Sequence, residues 1–369
     1  MRALLGFARL VGLALLGMAV LSGCREAQST GTVRAAGGEK RIIILNNGDS
    51  PFWDACRAGM EEAARDLKLK EAGLRAVFES NDATPQGQID KLRQFVSQSD
   101  IAAIGISVID GNNVAIAELM RELREKGIHV VTIDSDVDRE RLRDARFAFV
   151  GTDNRAGGRE LGKCAKGLRP GGGGYVTFVG RTGAQNAIER IGGFAQGAGE
   201  KFKSLDSMPD ENDRTRARDN VRNAIRNLKN QGLNTLVGIW SYNAPAIADV
   251  IKEMGVRKEF AVVVFDAEPL AIQQMGEGLI DTLVVQNPYQ MGYQGVRLMK
   301  ALFQDDKRIV AEMLPDYGKP EGDIYDTGLK VIVPDTGSPL RADMFDKKTQ
   351  FLNLSQFNQW LEKYKLTGS

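Results

Sequence analysis

The sequence predicts an α/β protein built as two doubly wound parallel-sheet lobes. Short aliphatic runs alternate along the chain with longer stretches of helical period. The runs are apolar at consecutive positions, as in Ile42-Ile43-Ile44-Leu45, which suits strands covered on both faces. The runs are also more numerous than one open sheet usually holds, and 369 residues suffice for about two domains.

The first lobe is expected to open with strand Arg41–Leu45 and helix Phe52–Leu69, followed by strand Arg75–Glu79 and helix Gln86–Gln98. Strand Ile101–Ile106, helix Asn113–Lys126 and strands Ile128–Ile133 and Phe147–Val150 complete it. The rhythm resumes with strand Gly174–Val179, helices Asn186–Phe202 and Thr215–Gln231, strand Thr235–Trp240 and helix Pro245–Met254. Strand Ala261–Phe265, helix Leu270–Glu277, strand Asp281–Val285 and helix Gln290–Gln304 follow. Strands separated by single helices imply right-handed crossovers and parallel pairing. Lys330–Val333 reads as a last strand, before a loop containing Pro and Gly and an amphipathic stretch, Leu354–Tyr364, that is expected to pack on the body.

The N-terminus reads as an address. Arg2 and Arg9 precede an apolar run, Leu10 to Leu21, that falls short of the about 20 residues a spanning helix needs. A positive start, a short apolar stretch and small residues form a secretory signal, assigned to residues 1–23. Leu21-Ser22-Gly23-Cys24 resembles the lipobox of bacterial lipoproteins, which makes Cys24 the expected lipidation site. Residues 24–40, rich in Gly, Ser, Thr and Ala, would be a flexible tether. The mature chain is expected on the periplasmic or extracytoplasmic face, anchored to a membrane. The 49 basic and 48 acidic side chains nearly cancel, which argues against a nucleic-acid partner. A single histidine and three cysteines leave little for a transition-metal site, and no cofactor is expected. Cys56 and Cys164 read as buried free thiols, with one disulfide as the alternative.

In doubly wound sheets ligands sit beyond the carboxyl ends of the strands. Those ends carry Asn46-Asn47-Gly48-Asp49-Ser50-Pro51-Phe52-Trp53, then Ser107 to Asp110, Asp134-Ser135-Asp136, Ser241-Tyr242-Asn243, Asp266-Ala267-Glu268 and Gln286-Asn287. Each has a plain reading as a helix cap. Six ends of amides, carboxylates and hydroxyls on one rim exceed what capping requires. Such groups make bidentate bonds to the hydroxyls of an uncharged polyhydroxylated ligand. Phe52, Trp53, Trp240 and Tyr242 offer flat rings for its C–H faces, with core packing the equal alternative for Trp240.

The segments Asn46–Trp53, the Asp134 strand end, Gly151-Thr152-Asp153-Asn154, Glu189-Arg190-Ile191-Gly192-Gly193-Phe194, Phe265-Asp266 and Gln286 resemble the ribose-binding-protein-like group of periplasmic binding proteins. These are solute receptors of sugar ABC transporters, and the resemblance covers about residues 41–310. It implies two lobes joined by a three-crossover hinge, closing on a monosaccharide or polyol that is delivered to a membrane permease. The lobes would comprise 41–151 plus 288–316 and 152–287 plus 317–340, with 341–369 as a C-terminal extension. Carried over, Asn46, Ser50, Phe52, Trp53, Ser107 and Asp134 form the first half of the ligand site. Asn212, Ser241 and Asp266 form the second half, with Gln286 at a hinge crossing. Asp153 and Asn154 would mark the first crossing, and Glu189-Arg190 would be structural. Two arginines of the ribose-type pattern are replaced by Ser135 and Ile188; Asn186, with Gln185, Arg181 and Arg214 nearby, is placed to supply donors instead. A monomer without catalytic activity is expected.

Rival readings are weaker. Gly157-Gly158-Arg159-Glu160-Leu161-Gly162-Lys163-Cys164 nearly spells a phosphate loop, but its last position lacks the hydroxyl for magnesium. Ala156, Leu161, Ala165 and Leu168 run through it at helical spacing, which predicts a helix interior. Gly171 to Gly174 precede a strand instead of following one and read as a turn. Asp134, Asp136 and Asp266 could pair as in glycoside hydrolases, the enzymatic alternative. A sugar receptor for chemotaxis or signalling is the other. A DNA-binding repressor of this fold is disfavoured, because no helix-turn-helix precedes residue 41.

Overall fold

The computed structural model describes residues 38–369; the expected signal peptide, Cys24 and nearly all of the tether lie outside them. The chain first lays down β1 (Lys40–Leu45), α1 (Pro51–Asp66), β2 (Leu74–Glu79) and α2 (Pro85–Val96). β3 (Ile101–Ile106), α3 (Val114–Glu125), β4 (His129–Ile133) and β5 (Phe149–Gly151) follow. It then crosses to α4 (Asn154–Leu168), β6 (Gly173–Val179), α5 (Gln185–Ala198), β7 (Phe202–Pro209) and α6 (Arg214–Leu228). β8 (Leu233–Gly238), α7 (Asn243–Glu253), β9 (Ala261–Phe265), α8 (Pro269–Gly276) and β10 (Thr282–Val285) extend this second lobe. α9 (Pro288–Phe303), α10 (Lys307–Met313) and β11 (Ile324–Asp326) return to the first, and β12 (Lys330–Val333), β13 (Gln350–Asn353) and α11 (Leu354–Lys363) finish in the second.

The first sheet has the order β11-β5-β4-β3-β1-β2, with every neighbouring pair parallel. The second runs β13-β12-β10-β9-β8-β6-β7 and is parallel except between β10 and β12. In both, strand order reverses beside the lobe's first strand, at β1/β3 and β6/β8, which opens a crevice above the strand ends. The continuous apolar runs are explained by two-sided burial. Ile42 and Ile44 pack against Trp53, Cys56 and Met60 of α1 and Met291 and Met299 of α9. Ile43 and Leu45 face Ile89 and Leu92 of α2 and Ile116 and Met120 of α3 on the other side.

Three departures from the sequence expectation have physical reasons. β7 (FKSLDSMP) is an edge strand whose Lys203, Ser204 and Asp206 face water, so it shows no apolar run. It also ends the preceding helix at Ala198 rather than Phe202. The segment from 317, expected in the second lobe, carries β11, which pairs with β5 of the first sheet. It is drawn there by Asp323, whose carboxylate accepts from Arg143 at 2.5 and 2.8 Å and from buried Arg146, which also grips Asp136. Residues 341–369 build β13 and α11 onto the second lobe, burying Phe357 and Leu361 in its core. Cys56 and Cys164 are both buried and unbridged.

The near-phosphate-loop is the interior of α4, and its glycines form a helix seam. A Cβ at Gly158 would stand 2.2 Å from the Arg190 carbonyl oxygen of α5, and one at Gly162 would stand 2.3 Å from that of Phe194. Gly158→Val must therefore push α5 away, and urea melts should show a loss of about 1–3 kcal/mol. Gly192→Ala, whose added carbon meets nothing within 4 Å, should be neutral or slightly stabilising in the same melts.

Candidate functional site

The first rim is set by loops after β1 and β4. Ser50 holds the N-cap position of α1 in extended backbone but makes no capping bond, so its hydroxyl is left for other partners. Pro51 starts the helix and places Phe52 and Trp53 at its mouth, their rings edge-on with centroids 5.1 Å apart. Asp134 ends β4 in the left-handed region (φ 67°), and its amide donates to the Val150 carbonyl at 3.1 Å.

The second rim repeats this device. Asp266 ends β9, also left-handed (φ 64°), with its amide donating to the Val284 carbonyl at 2.8 Å. Each lobe thus presents an aspartate from the end of its fourth strand in chain order, in a conformation an L-residue adopts at a cost. Gln286, just past β10, donates Nε2 to both Asp266 oxygens at 3.0 and 3.2 Å. Trp240 and Tyr242 stand after β8, and the Tyr242 hydroxyl is tied to Asp210.

Between the rims lies a cavity of about 320 Å³, a size at the low end for small-molecule sites. Among the residues expected from sequence, Ser50, Phe52, Trp53, Asp134, Asn186, Asn212, Ser241, Asp266 and Gln286 line it. Asn46 and Ser107 do not. Asn46 is fully buried and accepts from the Asn81 amide at 2.7 Å, bracing the loop. Ser107 stands behind Asp134 and donates its hydroxyl to Oδ2 at 3.2 Å.

Arg190, expected to be structural, also lines the cavity. Its Nε donates to Asn154 at 2.9 Å and its Nη1 to the Ile239 carbonyl at 3.1 Å, and it lies over the Phe265 ring at 4.0 Å. Nη1 is 3.9 Å from Asp266. The missed signal was local: Asn186 and Arg190 are four apart on α5 and therefore share a face. Asn47, Asp49 and Glu268 also line the cavity, and Arg214 there pairs with Glu268 at 3.2 Å. The neighbouring Glu189 reaches across to the first lobe, accepting from Arg139 at 3.3 Å, while Gln185 donates to it at 2.9 Å from its own helix.

Two buried carboxyls around one guanidinium leave charge imperfectly compensated. Burial pushes Asp134 up to about 7; the Arg190 guanidinium opposes the rise, and the Asp266 charge adds to it. Burial also raises Asp266 against Arg190 and Gln286, and it lowers Arg190 against both acids. Trp240 Nε1, Gln286 Oε1 and Asn186 Oδ1 are buried without a protein partner. The site combines acceptors, donors and flat rings drawn from both lobes.

A family model described as a periplasmic binding protein domain matches residues 42–307. The chain belongs to this family. Periplasmic binding proteins are solute-binding components, and the known relatives fit that role. The chain is 25% identical over 281 residues to the D-allose-binding periplasmic protein of Escherichia coli, covering 74% of this chain and 88% of that one. It is 21% identical to the ribose import binding protein of Salmonella typhimurium over 79% of this chain and 93% of the relative. Among solved structures, a Burkholderia graminis ABC-transporter solute-binding protein in complex with D-arabinose superposes with a TM-score of 0.68 at 23% identity, covering 81% of this chain and 96% of that one. One from Actinobacillus succinogenes with bound D-allose gives 0.67 at 17%, covering 79% and 96%. These likenesses establish the two-lobed periplasmic-binding-protein fold.

The raised Asp134 carboxyl has a consequence for stability. Its proton is held more tightly folded than unfolded, so its contribution is full below about pH 4 and is lost as pH climbs through about 7. Denaturant midpoints of the native chain and of Asp134→Asn should run together near pH 4 and separate by pH 8 in favour of the variant. The gap should reach up to about 4 kcal/mol. Parallel profiles from pH 4 to pH 8 would contradict this.

Proposed function

We propose that this protein is the sugar-binding component of an ABC importer, capturing a monosaccharide or polyol between its lobes and handing it to a membrane permease. The observation that carries the reading is the pair of strand-end aspartates, Asp134 and Asp266, one from each lobe, at one cavity with Arg190 beside them. Carboxylates accept from sugar hydroxyls, and a guanidinium donates to the ring or hydroxyl oxygens left over. Asn186, Arg181 and Arg214 line the same cavity and offer donors where the ribose-type arginines are replaced by Ser135 and Ile188. Phe52 and Trp53 on one rim and Trp240 and Tyr242 on the other cover apolar sugar faces. A ligand touching both rims stabilises the state in which they face one another, by its differential affinity for that state. Transport requires no chemical step from these residues. The sugars named for the relatives, D-allose, ribose and D-arabinose, support an uncharged ligand that a cavity of this size can hold. In this reading the chain acts as a monomer on the extracytoplasmic face, held to a membrane through acylated Cys24.

Isothermal titration with D-allose, D-ribose, D-arabinose and myo-inositol tests the proposal. At least one should bind, and Asp266→Asn should weaken it tenfold to a hundredfold, the worth of a charge-assisted hydrogen bond. Asn tolerates the left-handed backbone, so the fold should survive the change. Unchanged affinity in Asp266→Asn, or no heat from any polyol, would overturn the reading. Separately, labelled fatty acid should be incorporated into the native chain and not into Cys24→Ala, and equal labelling of the two would exclude a lipid on that cysteine.

A further inference from the structure

The backbone after each strand-end aspartate must find hydrogen bonds in a turn that β-pairing no longer serves. In the first lobe, Ser135 satisfies its amide on Ile133 at 2.7 Å, and its carbonyl accepts from the Val108 amide at 3.1 Å. The equivalent residue in the second lobe, Ala267, finds both partners in residue 369. Its amide donates to the Ser369 carbonyl at 2.8 Å, and its carbonyl accepts from the Ser369 amide at 3.0 Å. The Ser369 hydroxyl donates to the Gln286 carbonyl at 3.3 Å, and the residue is only 3% exposed. Gly368 lies so close that a Cβ there would stand 2.6 Å from the Ala267 carbonyl oxygen and 3.0 Å from Pro269. The same tail sets Tyr364 against Tyr289, centroids 4.4 Å apart, directly after the crossover that carries Gln286.

We propose that Gly368 and Ser369 are positioning residues of the cavity, clamping the Ala267 turn so that Asp266 and Gln286 are held at the rim from behind. The role rests on the reading of Asp266 as a sugar contact. It is supplied by residues beyond the family match, which ends at 307. The second lobe therefore completes its site with chain 102 positions further along, whereas the first completes its site from the neighbouring β3 loop.

The test compares the full chain with Gly368→Val, which displaces the tail, and with Ser369→Ala, which keeps both backbone bonds. Hydrogen–deuterium exchange without ligand should be faster at residues 266–268 and 286 in Gly368→Val, unchanged in the interior of β9, and native-like in Ser369→Ala. Titration with D-allose, D-ribose and D-arabinose should show affinity for the bound sugar reduced roughly fivefold in Gly368→Val, with the ligand-free melting temperature unchanged. Ser369→Pro, which removes the amide donor, repeats both measurements if Gly368→Val folds poorly. Native-like exchange at 266–268 in the displaced-tail variants, or faster exchange with intact sugar affinity, would overturn the proposal. If the native chain binds none of these sugars, the sugar reading is what fails, and exchange at 266–268 still decides whether the tail clamps the turn.

Discussion

Two carboxylates withdrawn from water around one guanidinium set the terms for the rest of this molecule. Asp134 belongs to one lobe, and Asp266 and Arg190 belong to the other. Neither lobe alone brings the three groups together. Holding aspartates in left-handed backbone costs about 1–3 kcal/mol each, and such positions persist only where surroundings over-determine them. Here each aspartate amide is tied to the next strand, so the rigid sheet bears the strain.

The scaffold supplies rigidity where the site requires it. Arg190 cannot swing away, because Asn154, the Ile239 carbonyl and the Phe265 ring hold it on three sides. Asn154 begins α4, and α4 meets α5 along the glycine seam, so the helix that carries Arg190 is fixed at backbone distance to the helix that steadies its guanidinium. On the other lobe, the Asp136–Arg146–Asp323 cluster pins the segment leading into β11 beside β5. Two of the crossovers, those after β5 and β11, thus leave from strands that this cluster anchors.

Much of this was legible in the sequence, for a physical reason. Strands buried on both faces need uninterrupted aliphatic runs, so β1, β3 and β9 announce themselves. Ligand groups at strand ends occupy predictable places, and Asp134, Asp266 and Gln286 stand where the alternation put them. What stayed hidden depends on non-local partners. β7 and β11 are edge strands whose pairing is decided by neighbours and by Asp323, not by their own polar residues. Arg190 carries one local cue, its four-residue spacing from Asn186, but the Ile239 carbonyl and Phe265 ring that fix it lie far along the chain. Asn46 and Ser107 carry the right chemistry at the right strand ends, but Asn81 and Asp134 engage them first. The contact of Ser369 with Ala267 spans 102 positions along the chain, beyond any local pattern.

The Arg139–Glu189 pair joins the lobes across their gap, and its two ends are unequal to an ordinary buried bridge. Arg139 also donates to Asp136 at 2.9 Å, and Glu189 also accepts from Gln185. If the gap widened, each charge would keep a companion on its own side, so parting would strand neither ion. The fastening is reversible by construction: it favours approach of the halves without making separation prohibitively costly.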